Sequence, residues 1–191
     1  MTRKEQKEYR RNQILQVALH LFIHQGYHGT KTSQISREAK ISEGLLFHYF
    51  PTKESLLEEL VKMGVYGMQY PMRMDSVAPL DFFQKFTVQL LQYLKENIFT
   101  AELFVLMAQM QRTEEIPVKV KELAASVDVI GSAREVILAG QSEGTIRQGD
   151  ALALSNLYWC CIQGVVEQYV ARPRLPLPEP EWIVAMLKAE S

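Results

Sequence analysis

Apolar residues recur every three or four positions along most of this chain, and no sustained alternation with period two appears anywhere. Spacings of three and four stack side chains on one face of a helix, whereas a half-buried strand needs a spacing of two. The pattern therefore predicts an all-α protein. Ile14, Leu15, Ala18, Leu21 and Phe22 form one face of a first helix over about 4–25, and Gly26 is its expected stop. A short helix follows over Thr32–Ala39, with Thr32 or Thr30 as its cap. Ser42 caps another short helix that runs through Tyr49. Pro51 and Thr52 break it, and Thr52 opens a longer helix to about Tyr70, where Pro71 ends it.

The second part of the chain continues the same periodicity. Helices are expected over about 81–97, over 100–111, and as one long helix from Pro117 to near Gly144. Asp150 caps a further apolar helix, 151–171, and a last one occupies 180–189. The run from Arg172 to Pro180 cannot be helical throughout, because each proline removes a donor and restricts the residue before it. A length of 191 residues with 47% apolar content suffices for a sizeable core without disulfide or metal staples. No uncharged apolar stretch of about 18 residues suggests a membrane span. The two cysteines, Cys160 and Cys161, are neighbours and form no metal-binding spacing. The expectation is a cytoplasmic protein with no cofactor, no metal and no membrane contact. His20, His24 and His28 recur at every fourth position, but no carboxylate or cysteine is in phase with them, so a solvated helix face is expected there.

The formal net charge is −1, yet its distribution is lopsided. Residues 1–53 hold nine Lys or Arg against four Asp or Glu, a balance of +5, and the remainder carries −6. A basic end on a near-neutral chain points to a polyanionic partner at that end. Three helices carrying this excess, two of them short and joined by a tight turn, have the arrangement of a helix-turn-helix DNA reader. In such a unit the second short helix enters the major groove with its N-terminal residues toward base edges. Glu43, Gly44, His48 and Tyr49 are the expected exposed residues, with Leu45 and Leu46 divided between groove and core. Ile35, Ala39, Ile41, Leu46 and Phe50 are the expected small core. Arg10 and Arg11 are open candidates, either for DNA contact or for a solvated face.

The string Ile35-Ser-Arg-Glu-Ala-Lys-Ile-Ser-Glu-Gly-Leu-Leu-Phe-His-Tyr-Phe-Pro-Thr-Lys-Glu-Ser-Leu-Leu57 resembles the TetR family of transcriptional regulators. It shares a short helix, a turn ending in Ser, a recognition helix closing on aromatic residues, and a Lys-Glu pair opening the next helix. The resemblance covers about residues 10–60 in sequence and only the architecture beyond. It implies a helix-turn-helix domain over 1–52 and a ligand-sensing and dimerisation domain over 53–191. It also implies roles: Thr32 at a phosphate, Ser42 as cap and backbone contact, Glu43, Gly44, Leu45 and His48 in the groove, and Tyr49 and Lys53 on flanking phosphates. Two positions depart from the family pattern. Lys40 stands in the turn where many members have Gly, which costs a side chain about 1 kcal/mol if φ is positive. Phe47 stands where many have Tyr, which removes a hydroxyl.

A reader of this kind works as a dimer. Residues 151–171 carry apolar side chains on more than one face, and Trp182, Ile183, Met186 and Leu187 add a second apolar helix. The regions 151–171 and 180–189 are therefore the expected homodimer face, in agreement with the resemblance. Six of eight methionines lie between Met63 and Met110, Met72 and Met74 among them, interleaved with aromatic residues that include Tyr70. Adaptable surfaces of this composition suit apolar small molecules. Tyr66, Phe86, Phe104, Met107, Tyr158 and Gln163 are the candidate lining, with Gln109 as a further polar anchor. The function expected is a repressor released from a pseudopalindromic operator by a small apolar or aromatic effector. The alternatives are an all-α enzyme, for which no catalytic spacing exists, and an interaction module that uses the proline run as an extended ligand.

Overall fold

The computed structural model describes residues 2–69 and 78–190. Tyr70, Pro71, Met72 and Met74, which figure in the expectations above, lie outside the described residues. The described residues form ten helices and no strand, with one isolated antiparallel bridge between Ile146 and Lys188. In chain order the helices are α1 (Arg3–Gly29), α2 (Thr32–Glu38), α3 (Glu43–Tyr49), α4 (Lys53–Gln69), α5 (Pro79–Glu96), α6 (Ile98–Arg112), α7 (Val118–Ala125), α8 (Val129–Ser142), α9 (Ala151–Ala171) and α10 (Pro180–Val184). They divide into two compact units, Met1–Val65 with Val105–Ser126, and Tyr66–Phe104 with Val127–Ser191.

In the first unit, the face expected of α1 is the buried one: Ile14, Leu15, Ala18, Leu21 and Phe22 are each at most 3% exposed. Gly26 interrupts α1 with φ 75° and ψ 162°, values open to glycine and closed to most L residues, so the regular helix does break there. The cap expected of α2 is not found. Lys31 occupies the N-cap position without a side-chain hydrogen bond, and Thr32 is already helical. Thr30 turns the other way: its buried hydroxyl reaches the Gly26 carbonyl at 2.8 Å and the Leu21 carbonyl at 3.2 Å. Its one proton serves the Gly26 carbonyl, at the break in α1, as the shorter of the two contacts. Ser42 caps α3 as expected, accepting from the Leu45 N–H at 3.2 Å. Thr52 and Ser55 cap α4 reciprocally, each hydroxyl accepting from the other's backbone N–H at 3.0 and 3.2 Å.

The single helix expected from Pro117 to Gly144 is two, α7 and α8. Ser126 closes α7, Val127 is buried, and Asp128 opens α8 by accepting from the Gly131 N–H at 2.8 Å. Apolar periodicity carries through the break because Val127 stays in phase, whereas the Ser126 and Asp128 side chains bond to local backbone instead of continuing the helix. The same point divides the two units.

In the second unit, α8 packs along α9, and α5 packs against α10 and α8. Asp150 caps α9 through the Ala153 N–H at 2.8 Å, as expected. The last helix is shorter than 180–189: it ends at Val184, and the chain then turns to form the Ile146–Lys188 bridge. Ile183, Val184 and Leu187 stay buried across that change. At the core of this unit Tyr158 is fully buried. Thr87 Oγ1 lies 2.7 Å from both the Phe83 carbonyl and Tyr158 Oη. The carbonyl can only accept, so Thr87 donates to it and Tyr158 donates to Thr87. Burial holds the Tyr158 phenol well above the usual tyrosine range.

Candidate DNA interface

The reading unit is built by α1, α2 and α3. Leu46 at 0% exposure and Phe50 at 4% anchor α3, with Ile35 and Ala39 buried beneath them. A fully buried leucine contributes about 1.5–3 kcal/mol, so α3 is held by its core face and its outer face is left to function. That outer face presents Ser42, Glu43, Gly44, Phe47 and His48 to solvent, with Leu45 and Tyr49 half-buried beside them. His48 and Tyr49 meet edge-on, with ring centroids 5.7 Å apart. Of the residues expected in the groove, Glu43, Gly44 and His48 are exposed and Leu45 is half-buried. Phe47 joins them at 41% exposure, a large apolar ring for which periodicity alone would predict no role. The sequence hides this: Phe47 stands three residues before the buried Phe50, a spacing that would put both on one face, but Phe50 is the extended C-cap of α3 and leaves the helix there.

The expected phosphate residues are less uniform. Thr32 is half-buried in the first turn of α2, and its carbonyl accepts from the Ser36 hydroxyl at 3.0 Å. Lys53 is already engaged. Its ammonium donates to the Tyr27 carbonyl at 2.7 Å and the Thr30 carbonyl at 2.9 Å, and lies 4.3 Å from the Tyr27 ring centroid. A cation at the end of α1 meets both the freed carbonyls and the negative pole of the helix. Burial there pulls the Lys53 ammonium below the usual lysine range, and the same burial, with Glu54 nearby, pushes the Tyr27 phenol up. Arg11 is engaged as well, pairing with Glu59 at 2.6 Å and stacking 5.3 Å from the Phe50 ring centroid. Arg10, one position earlier, is exposed.

Of the effector candidates, Met107 falls in the first unit and Tyr66, Phe86, Phe104, Tyr158 and Gln163 in the second. Met107 is fully buried against Gly64, where an added Cβ would come within 2.5 Å of its side chain. Gln109 donates to the Ile23 carbonyl at 3.1 Å within that unit. Tyr66 is 62% exposed. Phe86 and Tyr158 are brought together by Trp159, whose ring centroid lies 5.3 and 5.5 Å from theirs. Gln163 is turned to Glu167 at 2.7 Å.

Residues 14–60, from the core of α1 into the first half of α4, match the family described as bacterial regulatory proteins, tetR family. The likeness to the tetR family is carried by residues 14–60. The chain is 39% identical over 72 residues to the HTH-type transcriptional regulator HbdR of Aromatoleum sp. (strain CIB), a match spanning 37% of the chain and 31% of HbdR. The chain thus covers under a third of that relative's length. Its fold is that of the MbdR regulator from Azoarcus sp. CIB, with a TM-score of 0.78 at 18% identity over 95% of this chain and 99% of that one. It is also that of AibR, solved with isovaleryl coenzyme A and operator DNA, with a TM-score of 0.70 at 18% identity over 95% and 100% of the two chains. Among the described residues, no helix is long and apolar enough to cross a membrane.

Proposed function

We propose that this protein is a tetR-family regulator, a dimeric DNA-binding repressor whose α3 reads the major groove of a pseudopalindromic operator, and which a small apolar or aromatic effector releases. The observation that carries the reading is the outer face of α3, where Glu43, Gly44, Phe47 and His48 stand exposed on a helix otherwise fixed by Leu46 and Phe50. His48 and Glu43 offer hydrogen bonds to base edges, and Phe47 offers an apolar contact to a thymine methyl. Ser42, Tyr49, Lys53 and the first turn of α2 at Thr32 serve the phosphates. Lys53 has one N–H beyond the two it spends on Tyr27 and Thr30, so it acts as a fixed point charge at the groove edge.

Dimerisation through 151–171 and 180–189 is supported by apolar residues left in solvent: Leu152, Leu157 and Trp182 are 49%, 51% and 71% exposed. Aromatic enrichment of this kind suits an interface core. An effector site in the second unit is supported by the cluster of Phe86, Tyr158 and Trp159. The Trp159 indole N–H there is buried without a hydrogen-bond partner, a state that costs about 1–3 kcal/mol and that an acceptor on a ligand would relieve. AibR's structure holds an acyl thioester with its operator DNA, and an acyl or aromatic carboxylic compound would supply both the apolar body and the acceptor. Release is a population shift: the effector favours one conformation of the body, and α4, which begins at the reader and continues past Val65, carries the change.

The test is duplex binding across a salt series, followed by fluorescence anisotropy. Log affinity should fall linearly with log salt at a slope set by the phosphates contacted. Binding that is absent, or indifferent to salt, would refute the proposal.

A further inference from the structure

The turn between α2 and α3 closes in a defined way. The Ile41 N–H donates to the Ser36 carbonyl at 3.0 Å and the Lys40 N–H to the Arg37 carbonyl at 3.2 Å. These are the two bonds of a Schellman motif, and its C′ position requires a left-handed residue. Glycine fills that position at no steric cost. Here it is Lys40, with φ 56°, the only non-glycine residue at positive φ among those described. A long side chain kept in a glycine conformation stores strain that the fold itself does not need.

Lys40 borders a groove of about 500 Å³ lined also by Gln6, Tyr9, Arg10, Gln13 and Ala39. The charge on this lining is wholly positive, and neither Lys40 nor Arg10 is paired with a carboxylate among the described residues. Tyr9 Oη accepts from Gln13 Nε2 at 3.2 Å, which leaves its own O–H free to donate outward. Arg10, Lys40 and Tyr9 thus all present donors to one space, two residues ahead of the N-cap of the reading helix. A phosphodiester offers acceptors only and carries a negative charge.

We infer that this groove seats a DNA backbone phosphate beside the half-site, with Lys40 and Arg10 as its cations, and that the strain at Lys40 is retained for that contact. The inference rests on the DNA-binding reading above and adds α1 and the α2–α3 turn to the interface. Because the contact is to phosphate, it supplies affinity and register without sequence preference.

The decisive variant is Lys40→Gly, since the two explanations of Lys40 predict different outcomes. Glycine relieves the strain, so the thermal midpoint should hold or rise. Duplex affinity should nevertheless fall on the order of fivefold to tenfold near physiological salt, equally for different sequences, with a salt slope shallower by about 1. Lys40→Asn, which tolerates the same backbone without the charge, should behave likewise, and Lys40→Arg should keep the wild-type slope. Arg10→Gln should also flatten the slope. Wild-type affinity and slope in Lys40→Gly would overturn the phosphate seat and leave the DNA-binding reading standing. A wild-type protein that binds no duplex would overturn both.

Discussion

Single residues in this protein take roles that their chemistry permits and their neighbours decide. Lys53 is the sharpest case. A lysine opening a helix at the edge of a basic reader suggests a phosphate contact, but its ammonium closes the end of α1 through Tyr27 and Thr30. A charged hydrogen bond in a half-buried site is worth about 1–2 kcal/mol. Lys53→Ala should therefore lower stability by about that amount as well as weakening duplex binding for all sequences alike. Urea unfolding alongside anisotropy checks this, and a loss of affinity with unchanged stability would count against the tether. Thr30 shows the same logic: its hydroxyl was free to cap α2 and was claimed by the carbonyls of α1 instead.

At the scale of elements, α4 and α7 are joined through one carboxylate. Glu58 pairs with Lys62 at 2.6 Å within α4 and with Lys119 at 3.0 Å on α7. Hydrogen bonds from both ammonium groups hold its carboxyl below the usual glutamate range. A carboxylate with a lowered pKa in the folded state contributes stability fully above its unfolded value, and that contribution fades as pH falls through the folded one. Glu58→Gln should thus lower the thermal midpoint at pH 7, and by less at pH 3. An equal gap at both values would show that packing, not charge, is at stake. The elements themselves were largely legible, because periodicity, the Ser42 and Asp150 caps and the stop at Gly26 are local features of the chain. The α7–α8 break was not: an apolar residue in phase at Val127 hides it, and only the Ser126 and Asp128 side chains betray it. The exposed face of α3 is legible at Glu43, Gly44 and His48, whereas Tyr49, expected exposed with them, is half-buried. Lys40's strain was legible as a conditional, since a lysine in a glycine turn is strained only if the turn keeps its shape, and it does. The donors gathered around Lys40 were not legible, because Gln6, Tyr9 and Arg10 reach it from a helix some thirty residues earlier.

For the whole molecule, the proposed function divides labour along the charge asymmetry: a basic reader and an acidic body that pairs and senses. The pairing has a direct consequence. Leu157, exposed near the middle of α9, should lie in the proposed interface, so Leu157→Glu should give a particle near the chain mass of 21.9 kDa by light scattering. Wild type should give twice that mass, and the variant should lose most of its operator affinity; a dimeric Leu157→Glu protein would place the interface elsewhere. The central claim, that α3 reads DNA in a two-fold pair, is tested most directly by selecting bound duplexes from a random library. The account predicts an enriched pseudopalindrome whose half-sites are centred about one helical turn, or a multiple of it, apart. Enrichment of a single unrepeated site, or of no sequence at all, would contradict it.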